Sequence, residues 1–186
     1  MKLRAEPYTL ELHHDNKVTE KELRHNLNLD WCDAVLFNVV AVENQQLKEY
    51  DAILWNEKEK AILFIEYKNT FSSFQDLKKW DAQQKKDYAR NIARAFGFLK
   101  YNFVITVNGI EPSIEKEKGK ADVISIKKLN EYIIDPQSFE STLVELDYID
   151  KLLGKYDLQE NQVEFKKEKV LKDLKDLRDM IEQVNK

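Results

Sequence analysis

Two carboxylates and an amine, Asp51, Glu66 and Lys68, are spaced so that folding can bring them onto one face of the chain. Glu66 and Lys68 are two apart, so on a strand both side chains leave the same side while Tyr67 points the other way. Residues 52–55 and 61–65 are apolar runs of strand length, and the polar stretch 56–60 between them can turn. That pattern predicts a β-hairpin that returns Asp51 to Glu66 and Lys68. Two carboxylates suit Mg²⁺, a hard cation usually held by one or two such groups together with water and phosphate oxygens. A cation held there lowers the pKa of a bound water, polarises a phosphodiester and absorbs developing charge. Lys68 would orient the attacking water or stabilise the charge of the transition state.

An Asp, a variable spacer, and then Glu-x-Lys on the following strand is the signature of the PD-(D/E)xK nuclease superfamily. The chain resembles that family in Asp51, fourteen intervening residues, and Glu66-Tyr67-Lys68. Tyr50 stands where the family name has its proline, a position that varies among members. Downstream, Leu77, Trp80, Tyr88, Ile92, Phe96 and Leu99 recur at helical spacing and predict one long helix over 74–98, with Gly97 at its C-terminal end. Within it, Gln84-Lys85-Lys86-Asp87-Tyr88 is similar to the Gln-x-x-x-Tyr motif of the RecB-type branch, and Glu66-Tyr67-Lys68-Asn69-Thr70 is similar to that branch's Asp-Tyr-Lys-Thr segment. The resemblance implies a restriction-endonuclease-like core and hydrolysis of DNA. It further implies Mg²⁺ or Mn²⁺ held by Asp51, Glu66 and the backbone carbonyl of Tyr67, with Gln84 and Tyr88 lining the active site or the nucleic-acid path. Core packing would equally account for Tyr88, and a polar position beside the apolar stripe for Gln84.

Upstream, residues 18–27 read as a short helix, with Thr19 and Glu22 as a capping box. Members of the superfamily commonly place a glutamate on such a helix near the metal. Glu20 is the better candidate, because Leu23 and Leu27 share its inward face, whereas the cap explains Glu22. His25 is a second candidate, since the RecB-type branch often takes a metal ligand from an N-terminal helix; a surface position would also explain it. His13-His14 reads as loop.

The chain has 186 residues, 42% of them hydrophobic, which suits one domain over 1–154 and a helical extension over 155–186. Cys32 is the single cysteine, which excludes a disulfide framework and an iron–sulfur cluster built from four cysteines of one chain. No run of eighteen apolar residues and no signal pattern is present, so the expectation is a soluble, cytoplasmic protein without a membrane span. The net charge of -4 is not the basic footprint of a general nucleic-acid binder. Between Asp76 and Tyr101, however, basic residues outnumber acidic ones by four. Lys85, Lys86, Arg90 and Arg94 are therefore the expected phosphate contacts, a solvated helix face being the alternative.

Residues 101–107 form an apolar, β-branched run expected as a buried strand beside the Glu-x-Lys strand, and 123–126 resembles another. The charged stretch 108–120 reads as loop, and 127–134 and 138–153 as helices. Strands separated by a long helix imply at least one parallel pair. The sum is an α/β architecture, a mixed central β-sheet flanked by helices. At the C-terminus Val163, Val170, Leu177 and Val184 recur every seven residues, with Leu174 and Ile181 between them. That heptad pattern fits a coiled-coil extension that could form a homodimer, pack on its own domain or bind a protein partner. Two functions follow: a metal-dependent deoxyribonuclease, or a non-catalytic nucleic-acid-binding or assembly module on the same fold.

Overall fold

A computed structural model of the chain describes residues 2–12, 20–43, 45–108, 117–133, 139–142 and 164–184. Two compact units are present, Met1–Thr142 and Leu143–Lys186. In the first, the described strands are β1 (Lys2–Ala5), β2 (Tyr8–Leu12), β3 (Ala34–Glu43), β4 (Gln46–Asn56), β5 (Ala61–Lys68), β6 (Lys100–Val107), β7 (Glu117–Lys118), β8 (Ala121–Ser125) and β9 (Glu140–Ser141). The helices are α1 (Glu20–Asn26), α2 (Phe71–Asp76), α3 (Lys79–Ala95) and α4 (Leu129–Ile133), the last entered through a 3₁₀ turn at Ile126–Lys128. The second unit contributes α5 (Glu164–Val184). The expected domain boundary after residue 154 falls outside the described residues. Among the described residues no helix is long and apolar enough to cross a membrane.

The strands join into one mixed sheet of order β1-β2-β3-β4-β5-β6-β8-β7, with β9 added to β6. Pairing is antiparallel from β1 through β5, parallel where β5 meets β6 and β6 meets β8, and antiparallel again for β7 and β9. The hairpin of β4 and β5 turns over Glu57–Lys60, with Lys60 in the left-handed region at φ 50°. β5 is buried along its length up to Lys68, as expected of a strand covered on both faces. One face packs Ile53, Phe64, Phe103 and Ile105 under Phe74 of α2 and Ala82, Tyr88, Ala89 and Ile92 of α3. The other packs Ala52, Leu54, Leu63, Ile65 and Val104 under Leu23 of α1 and Leu129 and Ile133 of α4. Helices thus cover both sides of the sheet.

The long helix expected over 74–98 is two helices. Thr70 caps α2 through a reciprocal pair of bonds with Ser73, and the chain leaves the helix at Leu77, which is extended at ψ 118°. The break has a tertiary cause. Lys118 of β7 bonds the carbonyl oxygen of Phe74 and that of Gln75, the latter at 3.3 Å, so the last carbonyls of α2 are satisfied from outside the helix. Beside it the β7–β8 turn presses Gly119 against the first turn of α3. Gly97, at φ 80°, ends α3 as expected, with its N–H on the Arg94 carbonyl and that of Phe98 on Ala93.

Strands β1, β2 and β3 were not signalled by the hydrophobic pattern, and Glu140–Ser141 pairs with β6 where a helix over 138–153 was expected. β1 and β2 form a local hairpin, but β2 meets β3 and β9 meets β6 across about thirty residues or more, so pairing and not local preference decides these contacts. Gly119 carries a measurable consequence of the close turn: a Cβ added there would stand 2.0 Å from the Lys79 carbonyl oxygen, at a φ of +58°. Gly119→Ala should therefore lower stability by about 2 kcal/mol or more. Urea unfolding checks it, and an unchanged midpoint would show that the turn does not hold α3.

Candidate active site

The position of Asp51 comes from a fault in the sheet. β3 and β4 pair from Ala34↔Trp55 to Phe37↔Ala52 and again from Val39↔Tyr50, and the register passes over Asn38 and Asp51. Asn38 takes a left-handed backbone at φ 54°. Strict alternation would set Val39 and Tyr50 on the face of Phe37 and Ala52. They lie instead with Leu36 and Ile53, so both strands change face at this point. Irregularities of this kind re-aim a side chain. Asp51 turns toward β5, where its Oδ2 accepts the backbone N–H of Tyr67 at 2.6 Å. The β4–β5 ladder has its last backbone pair at Ala52↔Ile65, and the Asp51 carboxylate continues it by one step.

That step sets Asp51 opposite Glu66. Phe64 lies on the α3 side of the sheet and Ile65 and Tyr67 on the other, so alternation directs Glu66 and Lys68 toward α3. Glu66 is only 6% exposed, and both of its oxygens are taken. Lys68 Nζ donates to Oε1 at 2.7 Å and Lys85 Nζ, from α3, donates to Oε2 at 2.6 Å. Bonds between ionised partners at these lengths are strong, and burying a carboxylate without them is costly. Asp51 has one such bond to the backbone and no cation of its own in hydrogen-bond contact among the described residues. Burial first, and then repulsion from Glu66, push its carboxyl up to about 6, against the lowering effects of the Tyr67 N–H, Lys68 and Lys85. Burial works against the Lys68 ammonium too, but Glu66, with Asp51 and Asp81 behind it, outweighs that and raises Lys68 above its ordinary value.

Tyr67 ties the two faces together. While its backbone holds Asp51, its hydroxyl donates to Glu22 Oε2 of α1 at 2.5 Å, and the same oxygen accepts Asn108 Nδ2 at 2.9 Å. Burial and the Glu22 carboxylate raise the Tyr67 phenol above its usual range. Glu22, expected only to cap its helix, thus makes a side-chain hydrogen bond to the Glu-x-Lys strand. Glu20 opens α1, and its side chain lies outside the described residues; His25 is exposed in the last turn. Thr19 and His13-His14 also lie outside the described residues.

On α3 the expected residues divide. Gln84 is exposed and its Oε1 accepts Lys48 Nζ at 3.1 Å, which brings to the site mouth a cation that the sequence reading missed. Tyr88 packs edge-on against Tyr8, 5.3 Å between ring centres, and belongs to the core. Lys85 and Lys86, expected on an open face as phosphate contacts, turn inward. They flank the buried stripe of Ala82, Ala89 and Ile92, so the helix directs both toward the sheet. Lys86 bonds Glu140 and the Lys120 carbonyl, beside a cavity of about 360 Å³ lined also by Arg90, Tyr101 and Asp122. Arg90 and Arg94 stay exposed. The spacing from Ala82 and Ala89 was the signal that could have assigned Lys85 to the site.

Among the described residues no three His, Cys, Asp or Glu side chains gather as a ligand set. Asp51 and Glu66, with the Tyr67 carbonyl and water, remain a donor set suited to Mg²⁺ or Mn²⁺, which need few protein ligands. The Lys85 ammonium on Glu66 Oε2 shows that this oxygen already attracts a cation. Compared with models of known protein families the chain matches none, and no curated protein matches it.

The raised Asp51 value makes a stability prediction. A carboxyl that holds its proton more tightly when folded favours the native state below pH 4 and loses that contribution as pH rises from about 4 to 6. Above that window ionised Asp51 costs roughly 2–3 kcal/mol. Asp51→Asn keeps an acceptor for the Tyr67 N–H and removes the charge. It should be more stable than wild type at pH 8 and equal to it near pH 4. Thermal unfolding across that range checks the sign, and a variant less stable at pH 8 would contradict it.

Proposed function

We propose that the chain is a metal-dependent nuclease of the PD-(D/E)xK, RecB-type kind, hydrolysing phosphodiester bonds in DNA. The observation that carries this reading is the convergence of Asp51, Glu66 and Lys68 at one strand end, with Asp51 tied to the Glu-x-Lys strand through the Tyr67 N–H. The order of elements supports a restriction-endonuclease-like core. A hairpin carries the motif, α3 crosses over it, and β6 returns parallel to β5. Asp51, Glu66 and the Tyr67 carbonyl would hold Mg²⁺ or Mn²⁺. When bound, the cation supplies an activated water and stabilises charge on the phosphate. Glu66 holds Lys68 by a 2.7 Å bond, which supports a role for its ammonium in orienting the attacking water. Lys48, bonded to Gln84, and the exposed Arg90 and Arg94 are the candidate phosphate contacts.

One observation favours a second reading, a non-catalytic nucleic-acid-binding or assembly module. Lys68 and Lys85 already offset the charges of Glu66 and Asp51, so the site is balanced without a metal. In that reading α5 recruits the partner or a second copy through its apolar positions, of which Leu177 and Met180 are exposed.

Cleavage of labelled single-stranded, duplex and branched DNA with Mg²⁺, Mn²⁺ or EDTA separates the two. Asp51→Ala and Glu66→Ala should abolish metal-dependent products with the fold intact. Lys68→Ala should lower the rate by about 10²-fold or more while changing metal affinity less. Wild-type cleavage by Asp51→Ala would mean that the site is misassigned. Folded wild-type protein that cuts nothing with any metal would leave the module as the conclusion.

A further inference from the structure

Lys85 is a cation whose position neither helix capping nor core packing requires. It reaches from α3 across to β5 with its side chain 13% exposed and donates to Glu66 Oε2, on the opposite side of the carboxylate from Lys68. The two lysines differ in what else holds them. Both feel Asp51 as well as Glu66, but Lys68 feels Asp81 in addition and shares its strand with Glu66, whereas Lys85 comes from α3. Lys85 also stands on a long flexible stem, one residue from the exposed Gln84, so its ammonium can leave the carboxylate without moving the helix. Tyr50 holds that helix in place, its hydroxyl donating to the Lys85 carbonyl at 2.9 Å.

We propose that Lys85 is an internal counter-ion of Glu66 that a divalent metal displaces, and that its released ammonium then binds the substrate phosphate. This rests on the nuclease reading of the same site. With Asp51 and Glu66 ionised and Lys68 and Lys85 protonated, the four side chains sum to zero. A divalent cation added to them makes the site doubly positive and frees one ammonium, so phosphate is attracted strongly only after metal has bound. Lys85 thereby acts as a positioning residue that couples metal binding to substrate binding, and such coupling is reciprocal.

The test is calorimetric titration of Mn²⁺ at pH 8 into wild type, Lys85→Met, Lys85→Arg and Glu66→Gln, followed by titration of thymidine 5′-monophosphate with and without Mn²⁺. Lys85→Met removes the competitor, so Mn²⁺ should bind about tenfold tighter, within the usual range of such couplings. The Mn²⁺-induced gain in nucleotide affinity should shrink severalfold. Lys85→Arg keeps the charge and should behave as wild type in the metal titration; it also serves if the methionine variant unfolds, because a tenfold change on retaining the charge overturns the proposal. Mn²⁺ affinity unchanged or weakened in folded Lys85→Met would overturn it too, leaving Lys85 a fixed structural partner. Wild-type Mn²⁺ affinity in Glu66→Gln would instead refute the metal site itself, a separate failure.

Discussion

A carboxylate at the end of a buried strand is costly unless cations are brought to it, and Glu66 imposes that requirement on its surroundings. β5 is covered on both faces, so water cannot solvate Glu66, which is 6% exposed. One ammonium comes from two residues along the same strand and the other from a helix packed on the sheet. Lys85 can arrive because α3 packs on the sheet through the small residues Ala82 and Ala89, while Gly119 lets the β7–β8 turn lie close to the start of α3. Small residues at these contacts and the long lysine between them solve one problem, closeness of helix and sheet with charge kept inside. A buried pair of this kind adds little net stability when complete but is costly to break.

The second organising element is the fault at Asn38 and Asp51. A regular β4 would place Asp51 in the ladder and spend its side chain on one face of the sheet. The change of face detaches it, and the Tyr67 N–H receives its carboxylate. Tyr67 thereby links three parts of the first unit: its backbone fixes β4, its hydroxyl fixes α1 through Glu22, and its neighbours Glu66 and Lys68 point to α3. Few groups in the site are free to rearrange independently. Lys85 differs in that a long, flexible side chain separates its ammonium from the backbone that Tyr50 holds.

Much of this was legible in the sequence where local pattern and tertiary demand agree. The hairpin of residues 52–55 and 61–65, the buried strand after α3 and the parallel neighbour of the Glu-x-Lys strand all follow from apolar runs and turn residues. The site triad followed from strand alternation at Glu66 and Lys68. What escaped depended on distant contacts. The break at Leu77 needs Lys118, β2 needs β3, and the reversal at Asn38 leaves no mark in hydrophobic periodicity. Lys85 and Lys86 were read as exposed because a run of lysines on a helix usually is. Their offset from Ala82 and Ala89 contradicted that, and charge drew attention away from spacing.

The hairpin turn at Glu57–Lys60 lies at the far end of β4 and β5 from Asp51. Five paired rungs, Ala52↔Ile65 to Asn56↔Ala61, separate the two, a distance of about 17 Å along the strands. Register along those rungs, and not the number of residues in the loop, sets Asp51 against Glu66. Insertions in the turn can therefore accumulate without disturbing the carboxylates, whereas a one-residue slip within either strand would send Glu66 to the wrong face. The spacer between the two acids is accordingly free to drift, and a search keyed to its length will miss chains that share the same geometry.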